Sequence, residues 1–379
     1  MWRTAEGSTA RLLQLCLAYY VCYVVFGVTT KGFTGAAALV SPRMTDMEFL
    51  VWTTLGGSLL CLLVVFATGW HRTGSQRLIS LGPARVPAEW AYIIPSGICT
   101  AIIIPTTTLM YMLLKSVMVA MVIMRASVIV ISRLVDEAQI RQGILRKTVY
   151  WEENVAVVFA VAAAGSQAFL AGNRDFDFLG NAAAMLVLAS YIGAYAVRIY
   201  IMNYYKNTRP RGASLNNTWF FSIEQISASA ALALAAVWFS RSASSAEAVR
   251  GFQEVLARPH PSAPSAALAG AAYGMVAFFS VFIFMFKGRT ATFAGLVNRL
   301  TSLAAGTTAT LLTFLLFGGG FPSRADWAAL ALILVAVGFL SLAERKRVGE
   351  MLAAHELSAA RAAGPTPALD GSPLAPEAK

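Results

Sequence analysis

Apolar runs of roughly 18 to 25 residues follow one another along most of this chain, each about the length of a helix that crosses a ~30 Å hydrocarbon core. Lipid offers the backbone no hydrogen-bond partner, so a spanning segment is either a helix or a strand of a closed barrel. Barrel strands alternate apolar and polar residues, and these runs do not. The expected fold class is an all-α polytopic membrane protein. Composition agrees: 57% of the 379 residues are hydrophobic and 13% charged, which leaves no stretch from which to build a soluble domain.

The net charge of +11 would suit a nucleic-acid partner if it were gathered into an arm or stripe, but the basic residues stand at the ends of the apolar runs, where membrane topology explains them. Cys16, Cys22, Cys61 and Cys99 lie inside apolar runs without CxxC spacing, so no disulfide framework or thiolate metal site is expected. The first run follows about ten polar residues and leads into Thr29, Thr30 and Lys31 rather than a small-residue cleavage site, which predicts a retained span and no transit peptide.

Ten spans are predicted. They start near Arg11, Phe49, Trp90, Lys115, Val155, Phe178, Trp219, Ser265, Thr290 and Ala325. The second carries Gly56, Gly57 and Ser58, small enough to admit another helix closely. The third contains Pro95 and Pro105 followed by Thr106 to Thr108, and should be kinked or broken. A hydrophilic loop, Ser240 to Pro264, is the longest connection, and Glu344 to Arg347 should stop the tenth span before a disordered tail.

Charged residues inside the spans point to function. MVAMVIMRASVIVIS, Met118 to Ser132, holds Arg125 on one face with Met118, Met121 and Ser132; TFAGLVNRLTSLAAGTTATLL holds Arg299 with Gly295, Ser302 and Gly306. A guanidinium at membrane depth costs at least about 2.5 to 3.5 kcal/mol on insertion scales, so it faces a partner, a watery space or an anion. Arg198 shares a face with Tyr191, Tyr195, Met202 and Tyr205, and either stays inside or snorkels to the interface. Glu224, the acidic residue well inside a run, needs a cation, a proton or a transported ion. Tyr19, Tyr20 and Tyr23 either line a cavity or simply pack.

Counting Lys and Arg in alternate loops puts both termini in the cytosol, with the clusters Arg72/Arg77/Arg85, Arg141/Arg146/Lys147, Lys206/Arg209/Arg211, Lys287/Arg289 and Arg345/Lys346/Arg347 on the inner side. IPSGICTAIIIPTTTLMYMLLKSVMVAMVIMRAS also compares with LAGAAYGMVAFFSVFIFMFKGRTATFAGLVNRLTS, pairing Gly97 with Gly270, Lys115 with Lys287 and Arg125 with Arg299. Five spans per half give the halves opposite topology, the layout of an inverted-repeat transporter. The division is 1–10 as a cytosolic N-terminus, 11–177 and 178–343 as the five-helix repeats, and 344–379 as a charged, disordered cytosolic tail.

On these features, above all LVNRLTSLAAGTTATLLTFLLFGGG followed by WAALALILVAVGFL, the chain resembles the drug/metabolite transporter superfamily, in particular its EamA-like and nucleotide-sugar/triose-phosphate branches. The resemblance covers roughly residues 11 to 343. It implies a five-plus-five fold working by alternating access, with a central cavity lined mainly by spans one, three, four, six, eight and nine. It also implies basic substrate-binding residues that correspond here to Lys115, Arg125, Lys287 and Arg299. Where the triose-phosphate branch has a Lys-Arg pair, this chain has Asn298-Arg299.

The expected function is a secondary transporter for a small anionic or zwitterionic metabolite, with Arg125, Arg299, Lys115, Lys287, Asn298 and Tyr195 at the substrate and Glu224 with Arg198 as an ion pair or proton carrier. The alternatives are an exporter of neutral or cationic compounds with structural arginines, and a non-transporting scaffold or receptor. An enzyme is disfavoured, because His71, His260 and His355 lie outside the spans, and no catalytic residue, metal or cofactor is expected. The expected partners are a small-molecule substrate and the lipid bilayer, not nucleic acid, with a homodimer left open; the expected location is the plasma (inner) membrane.

Overall fold

The computed structural model describes residues 8–35, 39–72, 78–81, 84–113, 117–145, 149–171, 181–208, 216–318 and 320–362. Lys115, Arg77, Arg146, Lys147, Arg174 to Asp177, Arg209 and Arg211 lie outside the described residues, as do the side chains of Met118 and Met121.

Among the described residues there are eleven α-helices: α1 (Thr9–Thr34), α2 (Asp46–Ala67), α3 (Trp90–Leu113), α4 (Val117–Arg141), α5 (Trp151–Ala171), α6 (Ala182–Asn207), α7 (Asn217–Arg241), α8 (Glu247–Ala257), α9 (Ala263–Phe284), α10 (Ala291–Phe317) and α11 (Arg324–Ala362). Eight of them, all but α4, α5 and the short α8, are long and apolar enough to cross a membrane by length and composition. The chain is a multi-pass integral membrane protein. Its outward-facing leucines and valines, such as Leu17, Leu59, Leu186 and Leu334, are lipid-facing surface in that setting.

Four local features differ from the expected layout. Between α2 and α3 the loop forms an antiparallel hairpin, β1 (Leu78–Leu81) with β2 (Ala84–Pro87). The long loop after α7 contains α8, whose Phe252 lies against Phe239 of α7. The charges from Glu344 to Arg347 do not stop the last helix, because Glu344, Lys346 and Arg347 find partners on neighbouring elements and α11 runs on to Ala362. The prolines do not break α3 either; Thr106 and Thr107 donate to the carbonyls of Ile102 and Ile103 one turn back.

Packing follows the small residues. A side chain at Gly56 would run into the backbone of Ala267, and one at Gly270 into the backbone of Thr53, so α2 and α9 meet backbone to backbone. Gly97 does the same for α3 against α7, where a Cβ would lie 2.6 Å from the Glu224 carbonyl oxygen. The main pairings are α2 with α9, α3 with α7, α3 with α6, α1 with α9, α1 with α10, α4 with α6, α4 with α5, α10 with α11, α5 with α11 and α4 with α10. These contacts set α1, α4, α6 and α10 side by side, and the buried Arg125 and Arg299 lie between them.

Candidate functional site

Five arginines are buried among the described residues: Arg125, Arg198, Arg289, Arg299 and Arg347. Three of them have carboxylate partners. Arg198 on α6 grips Glu224 on α7 with both ends of its fork, Nε to Oε1 at 2.8 Å and Nη2 to Oε2 at 3.2 Å. Ser96 Oγ donates to the same carboxylate at 2.7 Å, and Thr100 Oγ1 lies 3.3 Å from it, so α3 joins the pair. Arg198 therefore stays inside rather than snorkelling, and Glu224 has its cation within the protein. The group is neutral as a whole.

The other two partnered arginines belong to a cluster at the end of the bundle where α10 begins. Asp136 of α4 accepts from the amides of Ala291 (2.9 Å) and Thr292 (2.6 Å), the first amides of α10, and from Asn203 Nδ2 of α6 at 3.1 Å. A carboxylate placed there satisfies orphan donors and meets the positive end of the helix dipole. Around it Arg347 pairs with Glu153, Arg289 with Glu344, and Lys346 with Glu152, while Thr290 Oγ1 donates to Glu153 at 3.0 Å and Thr9 Oγ1 to Glu344 at 3.0 Å. The Tyr150 ring lies 5.1 Å from the Arg347 guanidinium, and burial pushes its phenol up to about 12, so it stays neutral. Six long helices are tied together at this end by three ion pairs and the amide-bound Asp136.

Arg125 and Arg299 have no such partner; no carboxylate among the described residues comes within 4 Å of either guanidinium. Tyrosines surround them instead. Arg125 Nη2 donates to Tyr23 Oη at 3.3 Å with the ring 6.0 Å away, and Arg299 lies 4.9 Å over the ring of Tyr195. Tyr19 packs beside Tyr23 with ring centroids 5.7 Å apart, and Tyr191 beside Tyr195 at 4.8 Å. The Arg299 Nε has no hydrogen-bond partner among the described residues. Both arginines bear on one face of α10: Arg299 projects from it, and the Arg125 guanidinium lies 3.8 Å from where a Cβ on Gly306 would stand. The helices reach this approach because Gly295 of α10 leaves room for Ser132 of α4, and Gly27 of α1 for Ala309 of α10.

The sequence-predicted residues thus divide. Arg125, Arg299 and Tyr195 come together. Asn298 points elsewhere, donating to Ser280 of α9 at 3.0 Å, and Lys287 is exposed in the turn before α10, near the carboxylate-rich end. Tyr19 and Tyr23 prove to stand at the guanidiniums. Their signal was available: tyrosines four apart recur on α1 and α6, at nearly the offset that carries Arg125 to Arg299.

Chemically, the arrangement offers two guanidinium forks and four phenols packed between helices, with two positive charges that the described side chains do not neutralise. No protein-family model matches the chain, and no curated protein matches it. Several solved structures match, among them a crystal structure of a protein similar in fold at 15% sequence identity and a TM-score of 0.56, over 89% of this chain and 99% of that one. At that identity the likeness is one of fold alone.

Proposed function

We propose that the chain is a secondary transporter of the drug/metabolite transporter type, built as a five-plus-five inverted repeat and moving a small anionic or zwitterionic metabolite by alternating access. Arg125 and Arg299 hold its negatively charged group. The observation that carries this reading is the contrast among buried arginines: among the described residues, the two near the middle of the bundle lack the carboxylate that each of the other three has. An uncompensated buried guanidinium is costly, and an anion binding bidentately removes that cost.

The helix pairings support the repeat. When each of the first five long helices is exchanged for the fifth long helix after it, α2 with α9 becomes α7 with α3, α1 with α10 becomes α6 with α4, α3 with α6 becomes α9 with α1, and α4 with α5 becomes α10 with α11. Pairs α5 with α11 and α4 with α10 map onto themselves. Gly97 and Gly270 take the same part in this scheme, and so do the Tyr23–Arg125 and Tyr195–Arg299 contacts. An odd number of spans per half makes the repeat inverted, and the positive-inside count then puts both termini and the start of α10 in the cytosol.

The test is thermal stabilisation of the detergent-solubilised protein by phosphorylated sugars, nucleotide sugars, organic acids, amino acids and cationic drugs, repeated with Arg125→Gln and Arg299→Gln. A ligand of the native state at a hundred times its Kd adds about 2.7 kcal/mol of stability. The expected result is stabilisation by an anionic or zwitterionic class that both variants lose. Stabilisation by neutral or cationic compounds alone, unchanged in the variants, would make the tyrosine-packed arginines structural.

A further inference from the structure

Lys31 ends α1 at the opposite end of the bundle from the carboxylate cluster. Its Nζ donates to Thr310 Oγ1 of α10 at 2.7 Å, and no carboxylate among the described residues forms an ion pair with it. Asp326, at the start of α11, lies within electrostatic range, but its carboxylate accepts from the amide and hydroxyl of Ser323. Arg299, Gly306 and Thr310 return to one face of α10, since their spacings are close to whole helical turns. Arg299 stands on that face, Arg125 lies against Gly306, and Lys31 lies against Thr310. Three cations therefore follow one helix face, at steps of about 10 Å and then about 6 Å by the rise per residue.

The internal correspondence gives the arrangement its meaning. The offset that carries Tyr19 to Tyr191 also carries Lys31 to Asn203, and the one that carries Arg125 to Arg299 carries Asp136 to Thr310. The Lys31–Thr310 contact is thus the counterpart of the Asn203–Asp136 contact. At one end an amide meets a carboxylate that is bound to a helix N-terminus, where the positive end of the helix dipole favours it. At the other end a lysine meets a threonine, and among the described residues no carboxylate is paired with it, Asp326 lying in range but bound to Ser323. The same position in the duplicated scaffold seals one end and electrifies the other.

We propose that Lys31 is the outermost of three cations in a track along α10, and that an anion reaches Arg125 and Arg299 from the end of the bundle where α10 finishes. The inference rests on the anion reading of the arginine site and adds to it an entrance, a direction and a residue that selects by sign of charge. Clefts lined by one sign of charge raise the local concentration of the opposite sign by roughly tenfold or more, and salt weakens the effect.

Reagents of opposite charge test this without knowledge of the substrate. In a background with Cys16, Cys22, Cys61 and Cys99 replaced by alanine, Gly306→Cys places a thiol beside Arg125, with Thr307→Cys as a second reporter. Each is modified in detergent by sulfonatoethyl methanethiosulfonate, an anion, and by trimethylammonioethyl methanethiosulfonate, a cation. The thiolate attacks the reagent's sulfenyl sulfur and expels methanesulfinate in both cases, so the thiolate fraction cancels in the ratio of rates. Relative to the same ratio for a free small-molecule thiol, which removes the reagents' intrinsic difference, the expected ratio favours the sulfonate by about tenfold at low salt. It falls several-fold with Lys31→Gln, is kept by Lys31→Arg, and is unchanged by Arg345→Gln, which removes an exposed cation near the opposite end. A ratio that Lys31→Gln does not move, an equal fall with Arg345→Gln, or two reporters that neither reagent reaches would overturn the track. If the ratio responds but no anion stabilises the protein, the track stands and the transport reading falls; if anions stabilise it and the ratio is unmoved, only the role of Lys31 falls.

Discussion

Arg347 and Arg299 are comparably buried, and each lies over an aromatic ring at about 5 Å, yet their surroundings differ in one respect. Arg347, at the end where α10 begins, has Glu153; Arg299, two to three turns into α10, has Tyr195 and no acid among the described residues. The difference repeats for the neighbours of each, with Arg289 on Glu344 and Arg125 on Tyr23. A guanidinium with its carboxylate is a finished structural unit, and separating the two leaves an uncompensated buried charge. A guanidinium among phenols is held in place with its charge unspent, and it gains most when something negative arrives from outside.

The first way to break this comparison is to remove the acid from a finished pair. Glu224→Ala leaves Arg198 buried and alone, and should cost about 3 to 5 kcal/mol, read as a lowered thermal midpoint or loss of monodisperse protein. Glu224→Leu combined with Arg198→Leu should recover a large part of that loss, as expected when an ion pair is replaced whole; a double variant as unstable as the single one would mean the helices need this pair itself. Next in size, Asp136→Asn weakens the bonds to Ala291 and Thr292 and the charge at the α10 N-terminus. A loss of about 1 to 3 kcal/mol is expected, with faster amide exchange confined to the first turn of α10.

A smaller effect on stability is the informative one at the arginines. Arg125→Gln and Arg299→Gln should change the unliganded midpoint by no more than about 1 kcal/mol in either direction, because no buried carboxylate is orphaned by either change. Destabilisation as large as that from Glu224→Ala would erase the distinction between the two groups. At the bottom of the scale, Lys287→Gln should shift stability by less than about 0.5 kcal/mol and leave ligand stabilisation as it was, since Lys287 is an exposed turn residue. A lost ligand response there would extend the site to the carboxylate-rich end.

These outcomes bear on how much could be read in the chain. Arg125, Arg299 and Glu224 were conspicuous because a charge inside an apolar run has few physical explanations. The identity of the Glu224 partner was not legible, since Arg125, Arg198 and Arg299 each lie inside a span and only the tertiary packing selects Arg198. Asp136 looked like an ordinary charge at the end of a span. Its role as the cap of a helix more than 150 residues away depends on α4 lying beside α10. The charges of Glu344 to Arg347 resemble a helix stop because their partners on α5 and in the turn before α10 are far off in sequence.

By itself the sequence determined the class of solvent, the helical state of the spans and the presence of charges that need an explanation there. These follow from local chemistry: the length of an apolar run against the thickness of a bilayer, and the cost of a charge in hydrocarbon. Which charges cancel and which are left over was decided only by the tertiary structure. Cancellation depends on distances of a few ångströms between helices that are remote in sequence, set by glycines at Gly56, Gly97, Gly270 and Gly295 that let backbones meet. The same arginine is a rivet or a receptor according to what those contacts bring within its reach.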